Sequence, residues 1–395
     1  MKKPVVVALT SYFKGNRFLE RAHKLGAHVI LLTIEKCLHE PWAREFVDEV
    51  FALANFKDVR EVLNAVSFLA RSRRIDDVVA LDDFDVELGA QIREHLRMPG
   101  MSVSTAAYYR DKLAMRVGAN AAGIAVPRFT SVFNHDVVRE FLAATPAPWL
   151  IKPRSSASAM GIQKHTDANA AFAAVEALGD EQSFHLVEEM LPGEMYHVDS
   201  LVLDGKVVFC ETNKYFRPLW EVWHGGGVFA SQTLPRQHPD TATLRKLNER
   251  VHAAFGLRNG PSHTEFLRHA QTGEFYFIET SARVGGANIT DMVEAATEIN
   301  LWEEWAKLVV QGPDGYRLPS TKTDYGGVVV SLCGAEKPDD SGFADPEVFY
   351  RLRQRNHIGL VVRCPTHERT EHLLNDYMRR IERDFLAVLP PVSEM

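Results

Sequence analysis

Three short apolar runs rich in β-branched residues, at 5–10, 29–33 and 78–81, alternate with stretches of helical spacing at 17–25 and 58–71. Runs of this length are too short for helices and too uniformly apolar for one-sided strands. They suit strands buried on both faces, and strand–helix alternation places such strands in a parallel sheet covered by helices. The pattern predicts a doubly wound lobe over residues 1–104. No G-x-G-x-x-G follows the first run, so the dinucleotide-binding signature of such lobes is missing. The third run ends in an acidic turn, Asp82-Asp83.

The rest of the 395 residues has a different rhythm. A helix is expected from about residue 104 to 118 or 123. A compact α+β module follows, with strands at 127–133, 149–152 and 185–189 and helices at 136–144 and 167–178. It interrupts the chain like a lid, at about 126–190. Hairpins follow, at 195–203 with 206–212 across Asp204-Gly205, and at 262–267 with 274–280 across a Gln-Thr-Gly turn. A helix over 289–310, strands near 327–332 and 359–363, and a closing helix over 367–385 complete the reading. The division is therefore 1–104, 105–320 and 321–395.

A formal net charge of −7 and 25% charged residues describe an ordinary, slightly acidic surface. It excludes a nucleic-acid binder that works through a basic face. The four cysteines lie far apart with no C-x-x-C pair, which suits free thiols in a reducing cytoplasm. The apolar run at the N-terminus is shorter than a secretory h-region, and no stretch approaches the ~20 residues of a membrane span. A cytoplasmic protein with no membrane partner is expected.

Two glutamates carry the strongest chemical signal. Glu265 lies in Ser-His-Thr-Glu-Phe-Leu and Glu279 in Phe-Tyr-Phe-Ile-Glu-Thr, both strand-like and largely apolar. Adjacent buried carboxylates repel unless a cation lies between them. Magnesium suits oxygen ligands and keeps phosphate oxygens in its shell. The simpler alternative pairs one glutamate with Arg283 and turns the other to solvent. Period-2 geometry puts Glu279, Ser281 and Arg283 on one strand face, followed by Gly285-Gly286, where backbone amides can approach a ligand. A plain turn fits the two glycines as well.

Lys152 ends a strand just before the small-residue loop Arg154–Gly161, and Lys112 lies on the helix after the first lobe. A lysine beside a loop whose amides can close over an anion suits phosphates, although lysines are more often solvated surface charges. The strand ending Glu188-Glu189-Met190-Leu191 turns at Pro192-Gly193, which suits a flat heterocycle held by backbone groups. Glu194, His197 and Asp199 follow. The segment holding Lys214, Tyr215, Trp220, Trp223 and His224 reads equally well as a substrate wall and as a surface loop anchored by tryptophans.

Arg110-Asp111-Lys112, Ile151-Lys152-Pro153-Arg154-Ser155-Ser156, Glu188-Glu189-Met190-Leu191-Pro192-Gly193, His263-Thr264-Glu265-Phe266 and Glu279-Thr280-Ser281-Ala282-Arg283-Val284-Gly285-Gly286 occur in this order. In order and spacing they resemble the ATP-grasp superfamily over about residues 1–320, most closely its carboxylate–amine ligases, including amino-acid ligases. The resemblance implies an N-terminal doubly wound lobe, an α+β lid and a mixed-sheet C-terminal lobe. It implies ATP and Mg²⁺ (or Mn²⁺), with small-molecule carboxylate and amine substrates.

It also implies roles. Lys112 and Lys152 would contact the phosphates under the loop with Ser155, Ser156, Ser158 and Gly161. Glu188 and the Met190–Leu191 backbone would hold adenine, with Glu189 among the nucleotide-binding residues, and Glu194, His197 or Asp199 would contact the ribose. Glu265, Glu279 and Ser281 would bind metal, with Ser281 where many members carry Asn. Arg283 would stabilise an acyl phosphate. Apart from the resemblance, Lys214, Tyr215, Trp220 and His224, with Gly285 and Gly286, are the residues that would face substrate if that segment is a wall rather than a surface loop. A homo-oligomer is compatible with this reading. Its competitors are an enzyme activating bicarbonate or carbamate and a nucleotide-binding regulator without catalysis.

Overall fold

The computed structural model of the chain describes residues 3–157, 160–218, 220, 222 and 226–387. The first lobe runs β1 (Val5–Thr10), α1 (Asn16–Lys24), β2 (His28–Ile34), β3 (Glu49–Leu53), α2 (Val59–Ala70), β4 (Asp77–Ala80) and α3 (Val86–His95). Its four strands are all parallel, in the order β3-β2-β1-β4. Alternate residues of β1 serve opposite faces. Val6 and Ala8 pack on Phe18, Leu19 and Ala22 of α1, while Val5, Val7 and Leu9 pack on Val62, Val66 and Leu69 of α2. Each such fully buried large apolar side chain contributes roughly 1.5–3 kcal/mol. The doubly wound lobe is thus present.

Two helices lead on, α4 (Val103–Ala107) and α5 (Lys112–Ala121). The single helix expected here is split because Asp111 is extended and its carboxylate caps the amides of Leu113 and Ala114. The small module comprises β5 (Phe129–Ser131), α6 (His135–Ala144), β6 (Trp149–Pro153), β7 (Gln163–His165), α7 (Ala168–Ala177) and β8 (His185–Glu189). Its antiparallel sheet, β5-β8-β6-β7, packs Trp149, Ile151 and Val187 on Val138, Leu142, Ala171 and Val175 of the two helices.

The remaining elements are β9 (Gly193–Leu203), β10 (Lys206–Tyr215), β11 (Phe229–Thr233), α8 (Pro239–Phe255), β12 (Gly260–His269), β13 (Phe275–Ser281), α9 (Ile289–Thr297), α10 (Leu301–Gly315), β14 (Tyr325–Leu332), β15 (Val348–Arg351), β16 (His357–Cys364) and α11 (His367–Asp384). Eight of these strands form one sheet, β13-β12-β9-β10-β11-β14-β16-β15. Its pairings are all antiparallel rather than mixed. The sheet continues across residue 320, so the last segment extends the central sheet and adds α11 against it.

One face of β9, β12 and β13 presents Tyr196, Val198, Phe266 and Phe277 to α5 and α8. The other presents polar side chains and, further along, meets α9, α10 and the first lobe. The helix expected over 289–310 is two helices. Glu298 adopts a left-handed conformation, φ 62°, and Asn300 caps the next helix through Trp302 and Glu303. Among the described residues no helix is long and apolar enough to cross a membrane.

Candidate active site

The two glutamates stand directly opposite each other on paired strands, Glu265 of β12 against Glu279 of β13. Glu265 is buried and Glu279 half-buried. Glu279 Oε2 lies 2.9 Å from Lys112 Nζ. Tyr215 donates to Glu265 Oε1 at 2.7 Å. The second oxygen of each carboxylate has no protein partner among the described residues. A buried and a half-buried carboxylate, each with one oxygen anchored and one open, suit a hard cation that takes oxygen ligands. The residues therefore fit Mg²⁺ or Mn²⁺.

Lys112 reaches this pair because Asp111 caps α5 and sets the first turn's direction. Its backbone N–H donates to Arg154 O at 2.8 Å and its Nζ to Ser156 O at 2.6 Å. One lysine thus ties the loop after β6 to Glu279. Ser155 O accepts from Arg110, Ser156 Oγ donates to Met160 O, and Gly161 turns with φ 72° against Pro153. Ser158 lies outside the described residues.

Lys152 points inward. On β6 and β8 it lies diagonally across from Glu188, and the two form an ion pair with Glu188 Oε1. Arg116 of α5 approaches the other oxygen, with Nε at 3.0 Å and Nη2 at 2.9 Å. All three are buried. Burial opposes the charge on Glu188, but Arg116 and Lys152 hold its pKa below the usual carboxylate range. Lys152 is pushed down by burial, with Glu188 opposing and Arg116 adding to the effect. Two cations against one anion leave an excess positive charge beside the glutamate pair.

This geometry corrects the adenine assignment of Glu188, whose two oxygens are already occupied by cations. Glu189 accepts from the Arg128 amide at 2.7 Å, and the Met190 amide is taken by Pro148 O at 2.9 Å. The Leu191 amide has no protein acceptor among the described residues.

The ribose and substrate assignments need correction for two reasons, strand alternation and burial. Glu194 and Lys214 form an ion pair of 2.6 Å beside Tyr196, on the face turned away from Glu265. His197 and Tyr215 lie on the Glu265 face but are buried. His197 is bonded at both ring nitrogens, to Asp199 and to Ser231, at 2.7 Å each. Neither forms a wall. Trp220 is half-buried, and His224 and Trp223 lie outside the described residues.

Of the three residues expected to converge, Glu279 pairs with Lys112, while Ser281 and Arg283 meet at a residue of the first lobe. Asp83, buried in the turn after β4, accepts from Ser281 Oγ and from Arg110 Nη1 at 2.9 Å, with Arg283 Nε at 3.8 Å. Ser281 is therefore held by a carboxylate rather than open to metal. Burial opposes the charge of Asp83, but Arg283 and Arg110 depress its pKa. Gly285 lies so close to Asp199 and His263 that a side chain there would collide, while Gly286 faces open space. Sequence reasoning missed Asp83, Arg110, Arg116 and His263 as site members. The acidic turn closing β4 and the Arg-Asp-Lys run were the available signals. In sheets of this kind the strand ends beside the point where strand order reverses carry sites.

An ATP-grasp domain family matches residues 145–291, and an ATP-grasp N-terminal domain family matches 19–100. The chain belongs to the ATP-grasp superfamily. The L-arginine-specific L-amino acid ligase of Bacillus subtilis is 23% identical to this ATP-grasp chain over 293 residues, 73% of this chain and 70% of that protein. The L-amino acid ligase of Bacillus licheniformis superposes with a TM-score of 0.77 at 17% identity, covering 99% of this chain and 100% of that one. N5-carboxyaminoimidazole ribonucleotide synthetase from Thermotoga maritima gives 0.70 at 16% identity, covering 98% and 100%. This ATP-grasp protein is a ligase of the carboxylate–amine type. ATP-grasp enzymes use ATP with Mg²⁺ or Mn²⁺.

Proposed function

We propose that the protein joins a small-molecule carboxylate to an amine through an acyl phosphate, releasing ADP and phosphate. The opposed pair of Glu265 and Glu279, with Lys112 on Glu279, carries this reading. Its support is chemical. A cation site beside surplus buried positive charge suits a triphosphate, and the transfer of its terminal phosphoryl group needs little beyond positioning and charge neutralisation.

In this reading a carboxylate oxygen attacks the γ-phosphorus and the bond to the β-bridging oxygen breaks, freeing ADP. The amine then attacks the acyl carbon, and phosphate leaves with that carboxylate oxygen. Glu265 and Glu279 would hold Mg²⁺ or Mn²⁺, which when bound neutralises phosphate charge. Lys112 and Lys152 place their charges on the phosphates. The loop around Ser155 and Ser156 covers them and excludes water. The Met190–Leu191 backbone meets the adenine edge. Arg283, steered by Asp83, faces the acyl phosphate. The similarity to amino-acid ligases suggests amino acids on one or both sides of the bond. The free cysteines suit a cytoplasmic setting.

The test incubates the protein with ATP, Mg²⁺ and pairs of amino acids, following ADP, AMP and product mass. ADP with an amide of the summed mass less water supports the reading. ADP release that depends on bicarbonate alone, or tight nucleotide binding with no turnover, contradicts it. Glu279→Gln and Arg283→Ala are expected to abolish ADP release with circular dichroism unchanged.

A further inference from the structure

Glu265 is held at one oxygen only, and the hold is elaborate. Besides the Tyr215 hydroxyl at 2.7 Å, Oε1 faces His263 Nε2 at 3.4 Å. His263 Nδ1 is fixed by Asp199 Oδ1 at 2.9 Å. The other Asp199 oxygen is held by His197 Nδ1 at 2.7 Å and Asn213 Nδ2 at 3.0 Å. His197 is anchored in turn on Ser231. The series crosses four neighbouring strands, β11, β10, β9 and β12, and ends on a single carboxylate oxygen. Every member is buried.

Two further observations mark this as more than filling. The Tyr215 ring stacks on His197 at 4.5 Å, so its hydroxyl cannot swing away from Glu265 without unstacking. Gly285, which follows β13, has no side chain where a Cβ would come within 2.7 Å of Asp199 Oδ1 and 3.2 Å of His263 Nδ1. The chain leaves room for this pair at the point where the strand bearing Glu279 ends.

We infer that Tyr215 and the Asp199–His263 pair are positioning residues that turn Glu265 so that its free oxygen, Oε2, faces the cation shared with Glu279. This rests on the reading of Glu265 as a metal ligand. Groups that orient a ligand commonly change metal affinity or activity by about 10–100-fold when removed. A network that only stabilised the sheet would change unfolding and leave metal affinity alone.

The test measures Mn²⁺ binding to the protein with ADP, by the loss of the free Mn²⁺ electron-spin-resonance signal, in wild type, Tyr215→Phe, Asp199→Asn, Gly285→Ala and Glu265→Gln. The urea unfolding midpoint of each is recorded beside it. Tyr215→Phe removes one hydroxyl and is expected to fold normally and to weaken Mn²⁺ about tenfold or more. Asp199→Asn and Gly285→Ala should act in the same direction, and Glu265→Gln should act most strongly. If Asp199→Asn does not fold, Tyr215→Phe decides alone. Wild-type Mn²⁺ affinity in Tyr215→Phe, with binding lost in Glu265→Gln, overturns the inference and leaves the proposed function standing. Wild-type affinity in Glu265→Gln overturns both.

Discussion

Removing Glu188 leaves a buried charge imbalance. Glu188 is the only acid contacting Arg116 and Lys152 among the described residues, and all three are buried. Glu188→Gln would leave two buried cations facing each other, and breaking such a group costs roughly 3–5 kcal/mol. Arg116→Met should cost less, because Lys152 and Glu188 remain as a balanced pair. Urea unfolding of the two variants checks the order, and a larger loss in Arg116→Met would refute the charge argument. Glu211 offers a pH test. Burial raises its pKa to about 7, against the pull of Arg236. Arg236 is spent on the carbonyls of Thr323 and Asp324 and lies 3.6 Å away, and Glu211 Oε1 has no hydrogen-bond partner. The folded pKa exceeds the unfolded one of about 4.3, so the native state holds the proton longer. The stability that Glu211 contributes is full below the unfolded pKa and is lost as pH rises through about 7. Wild type should therefore fall relative to Glu211→Gln between about pH 4 and 8 in urea midpoint. Parallel curves would mean that Glu211 is ionised throughout.

Strands with buried centres were the legible elements. β1 and β8 coincide with the spans their residue patterns mark, and the expected hairpin of β12 and β13 carries both glutamates, which come opposite each other only through a register shift between Glu265 and Phe266 that alternation does not foresee. The elements that escaped notice include short or half-exposed strands, but also α3, β11 and the seventeen-residue α8. β3 is half-buried at every position and β7 has three residues, so neither bears an apolar signature. Helix breaks escaped for a different reason. Asp111 and Asn300 cap new helices inside stretches whose apolar spacing continues across the break, and periodicity does not register a cap. The same limit explains the site. Alternation assigns a residue to a face but not to a partner, so Tyr215 and His197 looked accessible while their neighbours enclose them. Packing between elements gives its own test. A Cβ on Gly326 of β14 would come within 2.3 Å of the Met292 carbonyl in α9. Gly326→Ala should separate strand and helix and lower the urea midpoint by the equivalent of about 1–3 kcal/mol. An unchanged midpoint would show that the interface yields without cost.

At the scale of the molecule, Asp83 makes one site from two lobes. It lies in the turn just after a strand of the parallel sheet and holds Ser281 and Arg283 at the end of the antiparallel one. Asp83→Ala should lower kcat by about tenfold or more with ADP affinity little changed, because orientation rather than nucleotide contact is lost. Equal losses in both would place Asp83 at the nucleotide instead. The central claim is that ATP activates a carboxylate by phosphoryl transfer, and the oxygen atoms record it. With a substrate carboxylate labelled with ¹⁸O, the released inorganic phosphate should carry one ¹⁸O for each amide formed. Label in AMP, or phosphate free of label while amide accumulates, would contradict the account.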